Sequence, residues 1–313
     1  MSHSRFTSQA LLTFPDAQRS PLSIRAKALV FIDPRSRQLR DEVARLVGLP
    51  IPLLILGETG TGKELLARHV HGQSERGGLF VAVNCGAISS AHAEAELFGY
   101  AAGAHDASAS SRAGWFGSAN GGTLYLDEIG DLPLSLQGKL LAALETGEVQ
   151  RVGASRATPV DVRLVAATSI DLAKAVAVGK FNERLYHYLS DGRLELPPLR
   201  GRVGDILPLA EYFLGVYAQR LQLPLPAISR EAQRLLKRHA WPGNTRELEN
   251  VIHFALLVSS GDELLPEHFN LADPLAQLDA DLQRLLAGAD RQQLLALQQL
   301  LRDAGGGLAE ALA

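Results

Sequence analysis

Short apolar runs alternate with stretches of helical periodicity over the first two hundred residues of the chain. The apolar runs are "PLLILG", "LFVAVNC", "TLYLDE" and "DVRLVAATS", and helix-like patterns such as "KELLARHVHGQ" lie between them. Runs that are apolar throughout and only four to eight residues long are typical of strands buried on both faces of a parallel sheet. The pattern therefore predicts an α/β fold, with a parallel sheet flanked by helices.

From about residue 205 onward the periodicity is helical only. It extends from "GDILPLAEYFLGVYAQRL" to "ELENVIHFALLVSSG" and is interrupted by "LPLPA" and "AWPGN". We interpret this region as a second, smaller, all-helical domain. The predicted organisation is a tail at 1–20, an α/β domain at 21–204, a helical domain at 205–270 and a C-terminal helical segment at 271–313.

Composition limits the possible locations and partners. The 313 residues carry a net charge of -3, so a contact with nucleic acid must be local or supplied by a partner. Cys85 is the single cysteine, which excludes internal disulfides and cysteine zinc sites and favours a reducing compartment. The longest apolar run, "LVGLPIPLLILG", is too short to span a bilayer, and the first residues do not have the pattern of a signal peptide. We expect a cytoplasmic protein with no membrane contact.

The strongest chemical signal is "LILGETGTGKELLARH". It has the spacing of a phosphate-binding loop, directly after an apolar strand and before a helix. Glycines let backbone N–H groups turn toward phosphate oxygens, and the lysine ammonium reaches the outer phosphates. The alternative is a glycine-rich turn followed by a surface lysine. The predicted nucleotide-binding residues are Gly57, Glu58, Thr59, Gly60, Thr61, Gly62, Lys63 and Glu64.

A second signal is the acidic pair at the end of "GGTLYLDEIGDLP". Asp127 and Glu128 follow an apolar strand, where adjacent carboxylates are costly unless they serve a charge. With a phosphate loop upstream, that charge is the magnesium ion of a nucleotide. Asp127 is then the metal ligand and Glu128 the base that activates water. A solvated Asp-Glu pair at a strand end is the alternative.

Several motifs occur together in the order found in one bacterial family. They are "GETGTGKE", "VNCGAI", "AELFGY", "GGTLYLDEIGDLPLSLQGKLLAALE", "VRLVAAT", "LPPLRGR", "GDILPLAEYFL" and "WPGNTRELEN". From about Ser20 to Phe269 the chain resembles the AAA+ domain of sigma-54-dependent transcription activators. The resemblance implies a P-loop NTPase with a helical lid, which forms a ring, usually a hexamer. Such a ring binds upstream DNA and remodels the complex of RNA polymerase with sigma-54.

The resemblance also implies roles for single residues. Residues 57–64 would hold ATP, and Asp127 and Glu128 would serve magnesium and water. Asn84 would restrain the catalytic glutamate, and Arg246 would be the lid arginine that senses the γ-phosphate. The family's loop ends in Lys-Glu, which accounts for Glu64 in place of the Ser or Thr that follows the lysine in the general phosphate-loop motif.

The position of Arg246 has support from local sequence as well. Asn244 with Glu247 three residues later is typical of a helix start and follows the "WPGN" turn. This places Arg246 in the first helical turn, the end that favours anions. An ordinary exposed arginine is the alternative.

The segment "GYAAGAHDASASSRAG" departs from the family pattern. Twelve of its sixteen residues are Gly, Ala or Ser, so we expect an exposed loop rather than a core element. Where the family has "GAFTGA", the motif that touches sigma-54, this chain keeps Gly103 and Ala104 but has His105 and Asp106. We expect a partner-contacting loop whose contact is weakened.

The positions of the family's arginine fingers differ too. Where the family has "FRxDLYxRL", this chain reads "FNERLYHYL", so Asn182 and Tyr188 replace the two arginines. Neither side chain supplies the positive charge that stabilises phosphoryl transfer from a neighbouring subunit. Arg184 lies close by and is the candidate substitute. Ser169 replaces the family's asparagine after the sensing threonine, Thr168.

The sequence thus predicts an AAA+ transcriptional regulator that binds ATP and Mg²⁺ but is impaired in sigma-54 remodelling. One alternative is a fully active ATPase that remodels sigma-54 RNA polymerase; another is a nucleotide-binding modulator that assembles with an active relative. The C-terminal "LLALQQLLRDAGGGLAEALA" resembles the start of a helix-turn-helix, truncated before its recognition helix. DNA binding by this segment is left open.

Overall fold

A five-stranded parallel sheet lies at the centre of the computed structural model, which describes residues 11–13, 28–89, 92–103 and 110–271. The strands are β1 (Leu11–Thr13), β2 (Ala28–Val30), β3 (Leu53–Leu56), β4 (Phe80–Asn84), β5 (Thr123–Asp127), β6 (Glu148–Val149), β7 (Thr158–Pro159), β8 (Arg163–Thr168), β9 (Arg193–Glu195), β10 (Ala227–Ile228) and β11 (Glu263–Leu264). The helices are α1 (Pro34–Leu46), α2 (Lys63–Gln73), α3 (Ala93–Phe98), α4 (Gly114–Ser118), α5 (Leu134–Thr146), α6 (Leu172–Ala177), α7 (Glu183–Ser190), α8 (Ile206–Leu221), α9 (Arg230–Arg238) and α10 (Asn244–Val258). The sheet order is β4-β5-β8-β3-β9, and every neighbouring pair is parallel. The predicted α/β fold is confirmed.

Both faces of the sheet are buried, as the apolar runs predict. Leu124 and Leu126 of β5 pack into a cluster with residues of α3 to α7, whereas Tyr125 packs on the opposite side with residues of α1 and α2. The side chains of β8 also alternate between these two clusters, because successive side chains of a strand point to opposite faces of the sheet. The result is a sheet between two helical layers.

The carboxyl ends of the central strands meet at one edge of the sheet. In the β3–β8 pair Leu56 lies opposite Thr168, and in the β4–β5 pair Asn84 lies opposite Asp127. The segments that follow these strands are therefore neighbours, although they are far apart in the sequence. Ligands of open parallel sheets bind at this edge.

The two described ends of the glycine-rich segment after α3 meet in a narrow neck near Gly99 and Gly114. Tyr100 pairs with Arg112 in an antiparallel bridge and with Val152 in a parallel one. Gly99 and Gly114 approach so closely that a Cβ at Gly114 would lie 2.3 Å from the Gly99 nitrogen. Phe116 is buried at the base, and its ring stacks on Phe98. The substituted positions His105 and Asp106 lie outside the described residues.

The region after residue 205 is helical, apart from the parallel two-residue strands β10 and β11. Asp205, at the start of α8, is buried and ties this region to the chain before α1. Its carboxylate accepts hydrogen bonds from the N–H groups of Ile32 and Asp33, each at 2.8 Å, and from the Ser36 hydroxyl. The domain boundaries at residues 204 and 270 stay predictions, and the segment from residue 272 onward lies outside the described part. In the described ranges we find no helix with the length and apolar character of a membrane span.

Candidate nucleotide site

The loop between β3 and α2 has the conformation of an anion-binding loop. Gly60 and Gly62 have φ values of 81° and 105°, which favour glycine because a Cβ is strained there. Over the described part of the chain, the backbone N–H groups of Gly60, Gly62, Lys63 and Glu64 have no hydrogen-bond acceptor. Free N–H groups at the start of a helix bind anions, since the helix dipole is positive there.

Lys63 lies at the centre of this arrangement. Its side chain is only 6% exposed, and its ammonium donates to the Gly57 carbonyl at 2.9 Å and to Glu128 Oε1 at 3.1 Å. The lysine therefore joins the loop to the end of β5. A surface lysine, the alternative interpretation of the motif, is excluded by this burial.

The two carboxylates after β5 have different surroundings. Asp127 accepts a hydrogen bond from the Tyr125 hydroxyl at 2.9 Å, and burial raises the pKa of its carboxyl above the ordinary value. Glu128 has a left-handed backbone, with φ at 49°. Its Oε2 accepts two bonds from Ser169, from the N–H at 2.8 Å and from the hydroxyl at 2.9 Å. Glu128 is thus held between Lys63 and Ser169.

Asn84 lies beside Asp127 in the sheet, and over the described residues we find no hydrogen bond between its side chain and Glu128, so its predicted role stays a prediction. Its side-chain oxygen accepts a bond from the Gly86 N–H at 2.9 Å and caps the short turn that follows β4. Ser169, which the sequence showed only as a departure from the family pattern, is the residue that contacts Glu128 in this structure. Its position after Thr168, at the end of the strand next to β5, is the signal that locates it.

The lid arginine predicted from the sequence faces the same cavity. Arg246 is exposed in the first turn of α10, and its backbone N–H donates to the Gly60 carbonyl at 3.3 Å. A cavity of about 330 Å³ lies between the phosphate loop and this helix. It is lined by Ala28, Thr59, Gly60, Gly62, Lys63, Glu64, Leu65, Asp127, Glu128, Phe213, Thr245, Arg246 and Glu249.

The side chains of the other predicted loop residues form contacts within the loop or with residues that follow it. The Thr61 hydroxyl donates to the Glu58 carbonyl at 2.7 Å, and Thr61 is fully buried. Glu58 pairs with Arg200, and Glu64 pairs with Arg68 one turn along α2. The cavity wall includes five of the predicted loop residues: Thr59, Gly60, Gly62, Lys63 and Glu64.

The residues at the finger positions are engaged within their own chain. The Asn182 side chain caps α7 by accepting from the Leu185 N–H at 3.0 Å. Tyr188 is half-buried, with its hydroxyl 3.5 Å from the Leu144 carbonyl oxygen. Arg184 is 76% exposed and pairs with Glu145 at 3.0 Å. None of these three described residues lines the cavity.

The donor set of the cavity fits a nucleotide-bound magnesium ion. Over the described ranges no cluster of three or more His, Cys, Asp or Glu side chains forms a self-sufficient metal site. Magnesium on a nucleotide needs only one or two protein carboxylates, because phosphates and water supply its other ligands. Asp127 and Glu128 lie on the wall that also carries Lys63. Cys85 is a packed thiol, and burial together with the nearby carboxylates raises its pKa to about 12.

Comparison with known proteins gives consistent matches. The Sigma-54 interaction domain family matches residues 29–195, and the AAA+ ATPase lid domain family matches residues 200–281. The sigma-54-dependent transcriptional regulator SfnR of Pseudomonas fluorescens is 46% identical over 303 residues, which cover 96% of this chain and 82% of that protein. The activator SfnR of Pseudomonas putida is 49% identical over 264 residues, covering 84% and 72%. The crystal structure of NtrX from Brucella abortus in complex with ATP has a TM-score of 0.72 at 34% identity and covers 78% of this chain and 55% of that one.

Proposed function

The chain belongs to the family of sigma-54-dependent transcriptional regulators, and from that premise we propose that it binds ATP with Mg²⁺ between its phosphate loop and helix α10. The observation that carries the proposal is the convergence of Lys63, the acidic pair and Arg246 on one cavity. The NtrX structures with ATP and with ADP give the proposal further support.

Each polar group of the cavity has a part in holding the nucleotide. The free N–H groups of residues 60 and 62–64 and the Lys63 ammonium bind the phosphate oxygens through charge-assisted hydrogen bonds. Asp127 holds the metal ion, which supplies positive charge to the phosphates when bound. Arg246 binds the outer phosphate, since a guanidinium matches the geometry of its oxygens.

Glu128 is the residue that orients and deprotonates water in this proposal. In the structure its carboxylate is bound on both sides, by Lys63 and by Ser169. Phosphate oxygens compete for the Lys63 ammonium, so nucleotide binding releases one side of Glu128. Ser169 then remains as its partner, in the place that the family resemblance gave to Asn84.

We further propose that hydrolysis and sigma-54 remodelling are impaired. The basis is the pair of residues at the finger positions. Neither Asn182 nor Tyr188 carries a positive charge, and both side chains contact their own chain: Asn182 caps a helix and Tyr188 packs inward. An arginine finger is worth about 10³–10⁵ in rate in other NTPases. Ring formation, usually hexameric in this family, then serves regulation, with sigma-54 RNA polymerase or an active relative as the partner.

The competing function is a fully active ATPase that uses Arg184 as its finger. We expect Arg184→Ala to change ATP turnover by less than about twofold, because the guanidinium pairs with Glu145 of its own chain at 3.0 Å and an exposed pair of this kind contributes only about 0–1 kcal/mol to stability. Turnover is measured at protein concentrations that favour assembly. Glu231→Ala, which removes an exposed pair with Arg234, is the matched control. A loss of a hundredfold or more in Arg184→Ala alone would establish Arg184 as the finger.

ATP affinity and turnover, measured together, test the proposed function. Calorimetry with and without Mg²⁺ should show binding that is tighter with the metal. Turnover should stay low as protein concentration rises, because assembly adds no cation to the site. Absent binding refutes the nucleotide site, whereas turnover that rises steeply with concentration refutes the impaired motor.

A further inference from the structure

Three side chains contact one another on the outer face of the phosphate loop, and none of them lines the nucleotide cavity. Glu58 extends away from the cavity and forms a two-pronged ion pair with Arg200, in which one N–O distance is 2.9 Å. The Asn244 amide donates to Glu58 Oε2 at 3.1 Å. Glu58, Arg200 and Asn244 form what we term the outer clasp of the loop.

Asn244 is built into the fold in a way that serves this contact. It is fully buried, and its backbone is left-handed, with φ at 54°. Its amide also donates to the Thr59 carbonyl at 3.1 Å, and its side-chain oxygen accepts from the Leu199 N–H at 2.8 Å. The residue thus bridges the loop, the turn before α8 and the first position of α10. Asparagine tolerates the left-handed region better than most residues, so one side chain meets both demands.

Backbone contacts beside the outer clasp leave the loop little freedom. A Cβ at Gly60 would lie 2.3 Å from the Gly243 carbonyl oxygen, so glycine is required for this approach. The buried Arg202 donates to the Thr61 carbonyl at 3.0 Å. The loop is therefore fixed from outside along residues 58–61, while the N–H groups at its inner side stay free for a ligand.

We propose that Asn244 and Arg200 are positioning residues that hold the phosphate loop, through Glu58, in the conformation that binds nucleotide. A loop that is already ordered does not lose further conformational freedom on binding, so pre-organisation raises affinity. The proposal rests on the proposed ATP site. It adds that affinity depends on side chains that do not line the cavity, and that the loop and α10 move as one body.

The charge state of Glu58 is compatible with this role. Hydrogen bonds from Arg200 and Asn244 lower the pKa of its carboxyl to about 2, so the carboxylate is ionised at neutral pH. An anion in place of the Asn244 amide would therefore face a second anion. Like charges in contact repel, and this repulsion gives a sharp test of the pair.

The test exchanges the two groups of the Glu58–Asn244 contact. Asn244→Asp places two carboxylates together and should weaken ATP binding at least about tenfold, within the range of coupling between contacting residues. Adding Glu58→Gln restores a hydrogen bond of opposite direction, from the introduced glutamine amide to the introduced carboxylate. The double variant should regain at least about threefold of the affinity lost in Asn244→Asp, but not all of it, because the second bond of the Asn244 amide, to the Thr59 carbonyl, stays broken.

Two further variants separate positioning from folding. Asn250→Asp introduces the same charge at an exposed site of α10 and should leave ATP affinity unchanged. Arg200→Ala removes a side chain that is about half exposed, so the protein should fold, and ATP binding should weaken about threefold. Hydrogen exchange of the loop amides in the nucleotide-free protein is measured on all variants.

The combined readouts decide between the outcomes. Faster loop exchange in Asn244→Asp, with weaker ATP binding, and recovery of both in the double variant support the outer clasp. Unchanged exchange, or a double variant no better than Asn244→Asp, overturns it. Absence of ATP binding in the unaltered chain refutes the proposed nucleotide site, and loop exchange then decides the positioning role by itself.

Discussion

Replacement of Lys63 by alanine is expected to reduce ATP binding below detection in calorimetry. The ammonium is buried between the loop carbonyl and Glu128, and it is the cavity's central cation. Hydrogen bonds to charged groups contribute about 1.5–3 kcal/mol each. The loss of two such bonds to phosphate corresponds to about 10²–10⁴-fold weaker binding.

The matched control is Lys139→Ala. Lys139 is a half-exposed lysine of α5 that pairs with Glu94 and lies outside the cavity, so its removal should leave ATP affinity unchanged. Thermal unfolding of both variants without nucleotide verifies that each is folded. Undiminished ATP binding by a folded Lys63→Ala protein would falsify the assignment of the phosphate loop.

Much of the fold follows from local patterns in the chain. The apolar runs locate β3, β4, β5 and β8, because these strands contain few polar positions. Strands β3, β5 and β8 are buried on both faces, whereas β4 lies at the edge of the sheet and is only partly buried. The phosphate loop is also predictable from a local pattern, because its glycines and Lys63 are close together in the sequence. The helix start at Asn244 is also encoded locally, by the turn before it and by Glu247 after it.

Contacts between distant parts of the chain were not accessible in this way. The Glu58–Arg200 and Glu58–Asn244 contacts join residues 142 and 186 positions apart, and no periodicity encodes such a pairing. Ser169 reaches Glu128 because β8 lies next to β5 in the sheet, which is a property of strand order. The role that the family resemblance gives Asn84 next to Glu128 stays a prediction; the structure adds that its side chain caps a turn.

At the finger positions, residue type and the contacts seen in the structure each supply part of the argument. The sequence alone shows that Asn182 and Tyr188 cannot supply positive charge, because this depends only on residue type. The structure adds what the two side chains contact within their own chain: Asn182 caps α7, and Tyr188 packs against the helix that carries Leu144. The finger substitutions are therefore integrated into the packing of this chain.

Restoring arginine at both finger positions should raise ATP turnover by about 10³-fold or more, provided that the subunits assemble. Asn182→Arg removes a helix cap at a cost of about 1 kcal/mol. Tyr188→Arg releases a half-buried ring, so we expect a lower melting temperature together with the faster turnover. Ser169→Asn is a further step toward the family pattern. Turnover is measured as a function of protein concentration, because the arginines act on a neighbouring subunit.

The specific control for the arginines is the same pair of positions changed to lysine. Lysine carries the charge but lacks the planar, two-pronged geometry of arginine, so it should recover only part of the turnover. Equal recovery by lysine would show that charge alone was missing. Turnover that stays low with arginine at both positions, in an assembled protein, contradicts the proposal that absent fingers limit hydrolysis.

Opening of a sigma-54 promoter should require the loop as well as the fingers. The neck at Gly99 and Gly114 keeps the base of the loop intact, so residues 105–108 can be changed to Phe, Thr, Gly and Ala beyond it. Asp106 would carry an unpaired charge into the contact with sigma-54, and burying such a charge is unfavourable. The graft alone should therefore restore sigma-54 binding with a transition-state nucleotide analogue, without restoring transcription. Only the graft combined with Asn182→Arg and Tyr188→Arg should open the promoter in vitro, at protein concentrations high enough to bypass upstream DNA. If the unaltered chain or the graft alone opens it, the chain is an active motor, and another cation, with Arg184 as the first to examine, completes the site.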